Sequence, residues 1–391
     1  MKGPARKIAA AGLVILGIAV LAAIMYQSDY AGNKDFTSYW AAGQLLARHS
    51  NPYDVNAVLR LEKSAGFHEE KPLIMRNPPY ALPLALPLGL VGPRTGAVLW
   101  SLLLVAAIVA SVRLLWSMLG KPPDVHLFAY MFAPCISGMI HGQTSALIIL
   151  GLALFLFFQK ERPAAAGAVL VLAFIKPHLL LPFAVVLVLW IAGSRAYKVA
   201  MGAAVSMAAA LAISLFFDHN LWSDYLPVLR DAGADSHLIP TASAILRSLG
   251  GHDWLQFAPA VLGSVWAIWY FLSRRERWDW IEHGPVLLLV SLFVAPYSWF
   301  PDEMIALPAI MLALKCAPSN GALGSFLVLN FVALAMLLSG LSALSPLILS
   351  WTPSAWLIWY LWSNRQVRSA TTARWQAWEL KRLKTPAAPS R

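Results

Sequence analysis

Of 391 residues, 59% are apolar and 13% charged, with a formal net charge of +11, whereas soluble domains run at roughly 45–50% apolar and 25% charged. With a mean hydropathy of +0.63, these proportions exclude a secreted disulfide scaffold, a disordered chain and a soluble cytosolic enzyme, and leave an all-α polytopic membrane protein. The excess of Lys and Arg then records topology rather than nucleic-acid binding; Cys135 and Cys316 lie in apolar stretches without metal-ligand spacing and read as small core residues.

The N-terminal stretch carries Lys2, Arg6 and Lys7 and then an apolar run, 8–26, long enough to span a bilayer; it predicts an uncleaved first helix. A polar and aromatic stretch follows. Further apolar segments recur at about 95–116, 125–141, 143–158, 164–176, 178–192, 198–217, 258–272, 285–299, 303–316, 322–340 and 345–362. That predicts a single membrane domain over 1–362 with about 12 transmembrane helices, several of them short enough to be broken or re-entrant. A basic tail, 363–391, completes the chain. Placing both termini in the cytoplasm puts Arg113, Lys121, Lys160, Arg162, Arg195, Lys198, Arg274, Arg275, Arg277, Lys315 and the basic tail on the inside, and the outside regions are then acidic on balance. Two long segments, 27–94 and 218–257, face outward, and no room is left for a cytoplasmic nucleotide-binding domain. The chain has no phosphate-loop or dinucleotide fingerprint and no convincing internal repeat.

An ionisable residue at a membrane span is costly, and is a functional candidate by default. On this topology the candidates gather on the outer side. Asp35 opens DFTSYWAAGQLL, which predicts an amphipathic helix lying along the interface; the carboxylate is either its N-cap or a general base held at the membrane surface. His141 and Gln143 flank Gly142 at a turn between two spans. Lys176 ends an apolar run just before Pro177, which breaks the helix and aims the side chain. It is either a snorkelling lysine or a phosphate ligand, with His178 a second donor. Asp218 and His219 follow the span 198–217. Asp302, beside Glu303, sits in PYSWFPDEM among interfacial aromatics.

Several segments together resemble glycosyltransferase family 87, polytopic enzymes of the GT-C superfamily. The matching residues are Asp35, Tyr39, Ala42 and Gly43, then Asn51-Pro52-Tyr53-Asp54, Pro78-Pro79 with Pro83 and Pro87, Gly142-Gln143, Lys176-Pro177, and Pro296 followed by Asp302, in order from about residue 29 to 316. The resemblance implies a GT-C type helical bundle with outer-face interfacial helices and Asp35 as the catalytic base. Tyr39, Tyr53, Asp54 and Asp302 become substrate-binding candidates. Some family members carry histidines near the position of Phe300 to Asp302; this chain has none there, and His141 and His178 are the candidate substitutes. The expected activity is transfer of a hexose, mannose favoured, from a polyprenyl-phosphate-sugar donor to a lipid or glycan acceptor, with inversion. Lys176, His178, His141, Gln143 and Arg76 are the candidate donor-phosphate contacts. Location in the plasma (inner) membrane of a bacterium is expected, with the active site on the outer face and membrane lipids around it. No cofactor, metal or nucleic acid is expected; Asp35 and Asp302 would be the oxygen ligands of a hard cation. The rival readings are a secondary transporter or lipid flippase, and a non-catalytic subunit of a glycan-assembly complex.

Overall fold

The structure is a computed structural model that describes residues 35–231, 241–243, 246, 253–316, 320–340 and 346–364. The expected first helix, the basic tail and part of the segment 218–257 lie outside the described residues. Regular structure among those described is helical throughout. Five helices are long and apolar enough to cross a membrane: Pro93–Met118, Pro177–Ser194, Tyr197–Phe217, Trp254–Leu272 and Gly321–Leu338. Three shorter apolar helices accompany them, Ser145–Phe158, Pro163–Ala173 and Trp280–Val294. The protein is therefore an integral membrane protein of helical construction; the expected count of about twelve crossings is not confirmed among the described residues, where these five helices have spanning length.

The reason lies in local chemistry. A span of about 20 residues is needed for a hydrocarbon core of roughly 30 Å, and the apolar runs at 125–141, 164–176 and 303–316 are each interrupted. The first splits into Val125–Tyr130 and Ala133–His141, the second into Pro163–Ala168 and Leu170–Ala173, and the third into a 3-10 stretch, Phe300–Ala306, and the helix Leu307–Cys316. Pro134, Pro301 and Pro308 fall at or near two of these breaks, where a missing N–H and a ring clash favour a change of helix type.

The chain divides into two compact units. The first comprises residues up to 111 with 135–177 and 190–237, and the second 112–134, 178–189 and the residues from 238 onward. In the first unit, Phe36–Ala47 packs on Leu86–Gly89, Leu170–Ala173 on Ser145–Phe158, and Tyr197–Phe217 on Pro163–Ala168. Two of these contacts bring backbones together at glycine. A Cβ at Gly43 would overlap the Ala85 carbonyl and one at Gly89 would overlap Gly43, just as Gly167 meets the Val199 carbonyl and Gly202 that of Ala164. Small residues allow helices in a membrane protein this closeness, where packing replaces the hydrophobic effect as the driving force. The opposite side of Tyr197–Phe217 exposes Met201, Val205, Ile213 and Phe216, an apolar surface suited to lipid.

The Asp35 helix differs from its expected form. Every residue of Phe36–Ala47 except Gln44 and Ala47 is buried, so protein surrounds the helix, and the period of its aromatics records packing rather than an interfacial face. The next helix, Val55–Ser64, is the amphipathic one, burying Val58 and Glu62. Glu62 accepts the Leu73 N–H on both carboxyl oxygens, at 3.2 and 3.1 Å, tying down the loop that follows.

In the second unit, Asn330 repairs the break in 125–141. Its amide donates to the Met131 carbonyl at 2.8 Å and accepts from the Ala133 N–H at 2.7 Å, so neither loose backbone group is left unpaired. Glu303, fully buried, accepts from Thr352 Oγ1 at 2.6 Å and Trp356 Nε1 at 2.8 Å.

Two stability tests follow. Gly43→Val drives a branched side chain into the Ala85 carbonyl and should cost about 2 kcal/mol or more, read as a fall in Tm of the protein in detergent. Burial pushes the Glu62 carboxyl up to about 8, against the smaller opposing effect of the Leu73 N–H. The folded chain then holds a proton that the unfolded chain releases, so stability is greatest below the ordinary carboxylate range and falls as pH rises through about 8. Glu62→Gln should flatten that slope and raise Tm relative to wild type at pH near 8.

Candidate active site

Asp35 stands at the N-terminus of Phe36–Ala47, yet its side chain makes no capping bond to that helix. Ser38 closes the first turn instead, its N–H and Oγ both donating to the Asp35 carbonyl, at 3.1 and 2.7 Å. The Asp35 N–H donates to the His141 carbonyl at 3.2 Å. The carboxylate turns toward a different partner, its Oδ2 accepting a hydrogen bond from Gln143 Nε2. Of the two roles weighed for Asp35, that of a helix cap is not the one its side chain performs.

Gln143 reaches Asp35 because of how Ala133–His141 ends. Gly142 adopts φ +70°, and the Gln143 N–H returns to the Gly138 carbonyl at 3.0 Å. This is the 6→1 bond of a Schellman ending with glycine at the left-handed position. The Gly142 carbonyl is held by Trp100 Nε1 at 2.7 Å, and Tyr39 packs its ring on Trp100 with centroids 5.3 Å apart. Tyr39 and Trp100 thus brace the turn that presents Gln143.

The other end of the Gln143 amide is occupied as well. Lys176 Nζ donates to Gln143 Oε1 at 2.8 Å. With an anion on the amide nitrogen and a cation on the amide oxygen, only one of the two amide orientations satisfies both partners. Lys176 is buried, and the bend that carries it is clamped from outside. After Leu170–Ala173 ends, the carbonyls of Phe174 and Ile175 accept from Tyr80 Oη at 2.6 Å and Asn77 Nδ2 at 3.1 Å. Asn77 and Tyr80 flank the double proline Pro78-Pro79, whose own carbonyl at Pro79 is held by Ser214 Oγ at 2.8 Å. Sequence reasoning passed over Asn77, Tyr80 and Trp100. Polar residues flanking paired prolines were a readable sign of a clamp; a lone indole within an apolar helix was not.

The remaining candidates have clear places. His141 gives its backbone carbonyl to Asp35, and its Nδ1 donates to the Ser137 carbonyl at 2.8 Å, on a half-exposed ring. Asp54 caps Val55–Ser64, accepting from the Ala57 N–H at 2.8 Å. Tyr53 is buried against Tyr225, ring centroids 5.4 Å apart. Arg76 is exposed, and its carbonyl accepts from Tyr225 Oη at 3.4 Å. His178 and Asp302 belong to the second unit. There His178 meets the Tyr297 ring edge-on at 5.7 Å, and the buried Asp302 accepts from the Trp299 N–H at 2.9 Å, holding the start of the 3-10 stretch. Among the described residues no group of three or more His, Cys, Asp or Glu side chains could hold a metal ion.

The site thus unites Asp35, Gln143 and Lys176, which are 108 and 33 residues apart in successive pairs. It sets a half-buried carboxylate and a buried ammonium on either side of one amide. Such a pair suits a reaction in which a proton is taken at one point while negative charge develops at another. Replacing Gly142 by Ala forces a side chain into the left-handed region, and should cost about 1–2 kcal/mol, measurable as a lower Tm. Lys176 should also become more readily labelled by an amine reagent as the turn loosens.

A family model, glycosyltransferase family 87, matches residues 76–296. That stretch is more than half of the chain and contains Gln143 and Lys176, with Asp35 ahead of it. No curated protein and no solved structure matches the chain.

Proposed function

The chain belongs to glycosyltransferase family 87 and is a glycosyltransferase, and we propose that it moves a hexose, mannose favoured, from a polyprenyl-phosphate-sugar to a lipid or glycan acceptor. The transfer takes place at the outer face of a bacterial plasma membrane. The observation that supports this most directly is the Asp35 carboxylate, which leaves its own helix uncapped and points to an amide shared with a buried lysine.

In this reading Asp35 takes the proton from the acceptor hydroxyl as its oxygen forms a bond to the anomeric carbon. The bond from that carbon to the lipid-phosphate oxygen breaks, and its electron pair leaves on the phosphate. The Lys176 ammonium stabilises that charge. Gln143 fixes the separation between base and cation, so that the carboxylate faces the incoming hydroxyl and the ammonium faces the departing group. His141 and Arg76 are further phosphate contacts on this reading. A single carboxylate acting in one displacement gives inversion at the anomeric centre. The driving force resides in the sugar–phosphate bond, so no nucleotide is consumed.

The test is transfer by purified protein in lipid vesicles, with a panel of polyprenyl-phosphate hexoses as donors and a membrane glycolipid extract as acceptor. Asp35→Asn should lose about 10²–10⁴-fold in turnover and Lys176→Met about 10²–10³-fold, both with the fold retained as judged by a cooperative melting transition. The product anomer, read by NMR, should be inverted. A folded Asp35→Asn protein with full activity would remove Asp35 from the chemistry. Retention of configuration would remove the single displacement.

A further inference from the structure

A second cluster of polar groups lies in the same unit, where the segment after Asn51 meets the end of Tyr197–Phe217 and the start of Leu221–Asp231. Tyr53 is only 3% exposed, and its hydroxyl has no hydrogen-bond partner. Asp218 accepts from the Asn220 N–H at 3.0 Å through Oδ1, while its Oδ2 is buried and has none. The charges of Asp218 and Asp224 both act on the Tyr53 hydroxyl. The Tyr225 ring lies against Tyr53, and Trp222, 45% exposed, lies 6.2 Å from Tyr225, centroid to centroid. A buried hydroxyl and a buried carboxyl oxygen, neither with a hydrogen-bond partner, are costly unless something else satisfies them.

We propose that Tyr53, Asp218, Asp224 and Trp222 form a subsite for a pyranose unit of the acceptor glycan, a role that rests on the glycosyltransferase reading above. A sugar hydroxyl both accepts and donates, so a single one can accept from Tyr53 Oη and donate to Asp218 Oδ2. The neighbouring hydroxyl donates to Asp224, and the exposed Trp222 ring covers the apolar C–H face of the sugar. Burial, together with Tyr225, Asp218 and Asp224, pushes the Tyr53 hydroxyl up, so it remains a protonated donor at any physiological pH.

Charge separates this subsite from the donor end. Even with Arg76 on the flanking segment, two carboxylates leave the cluster net negative, which opposes a lipid phosphate and suits neutral hydroxyls. The positive group of the active site is Lys176. The two places are linked by a continuous piece of chain. Tyr225 Oη holds the Arg76 carbonyl, while the next residue, Asn77, holds the bend that carries Lys176. A glycan seated at Tyr53 would therefore press on the segment that positions Lys176.

The test measures binding of methyl α-mannopyranoside and methyl α-glucopyranoside to the full chain in lipid nanodiscs, by saturation-transfer NMR, alongside the acceptor KM in the vesicle assay. Wild type should bind at least one glycoside saturably. Tyr53→Phe and Asp218→Asn should each weaken that binding and raise the acceptor KM by about tenfold or more. Tyr53→Phe should hold or raise Tm, since it removes a buried hydroxyl without a partner, and Asp218→Asn should keep a cooperative melting transition. Trp222→Ala should weaken binding without loss of fold, and Lys176→Met should leave glycoside binding unchanged. No binding by wild type, or binding by the Tyr53 and Asp218 variants equal to wild type, overturns the subsite. If transfer by wild type persists in that case, the glycosyltransferase reading stands alone. Glycoside binding lost in Tyr53→Phe but without any transfer by wild type would keep the subsite and remove the proposed reaction.

Discussion

Gln143 has a single side-chain amide and holds two opposite charges with it. Its nitrogen donates to Asp35 and its oxygen accepts from Lys176, so the amide dipole lies between an anion and a cation and is favoured by both. In a low-dielectric setting an unpaired charge is expensive, and each of the three groups here makes the burial of the next tolerable. Much of the first unit serves to keep that amide in place. Trp100 and Tyr39 brace the turn in front of it, and Asn77 and Tyr80 hold the bend behind it. The site is stiff because its backbone is held at both ends by side chains from other parts of the chain, which is the condition for keeping a reactive geometry within a few tenths of an ångström.

The broken apolar segments serve the same end. A continuous helix satisfies all its carbonyls internally and has none to offer. By stopping at Ala173 and restarting at Pro177, the chain frees the carbonyls of Phe174 and Ile175, and these become the anchoring points for Tyr80 and Asn77. The break at Gly142 frees the carbonyl that Trp100 holds. In a membrane protein such openings persist only where protein groups re-satisfy the backbone. Asn330 meets the same need at Met131 and Ala133 in the second unit without any candidate site residue involved. The repair is thus a general requirement of interrupted apolar helices, and the first unit has turned it to the placement of a lysine.

Close backbone contact is the complementary device. Gly43 and Gly89 let the Asp35 helix sit against the short helix after the double proline. That contact places Asp35 at a fixed distance from the proline-rich segment, and thus from Asn77 and the bend at Lys176. A longer side chain at either glycine would separate the elements that bring the carboxylate and the ammonium together.

Much of this was legible from residue order alone. Composition determined a membrane protein. The runs at 95–116, 178–192, 198–217, 258–272 and 322–340 correspond to helices of spanning length, because twenty apolar residues have few alternatives in lipid. The Asp-Tyr helix, the Asn-Pro-Tyr-Asp turn and the paired prolines carried the family, and Asp35, Gln143 and Lys176 were each singled out by polarity in apolar surroundings. Hydropathy could not tell a crossing from a broken pair of short helices, since both are equally apolar. It also mistook the fully packed Asp35 helix for an interfacial one, because aromatic spacing is the same whether the ring meets lipid or protein. That Asp35 does not cap its own helix was decided only by tertiary structure. The local sequence is the same whether the carboxylate turns back on its own first turn or meets a partner from 108 residues away, and only packing brings Gln143 within its reach.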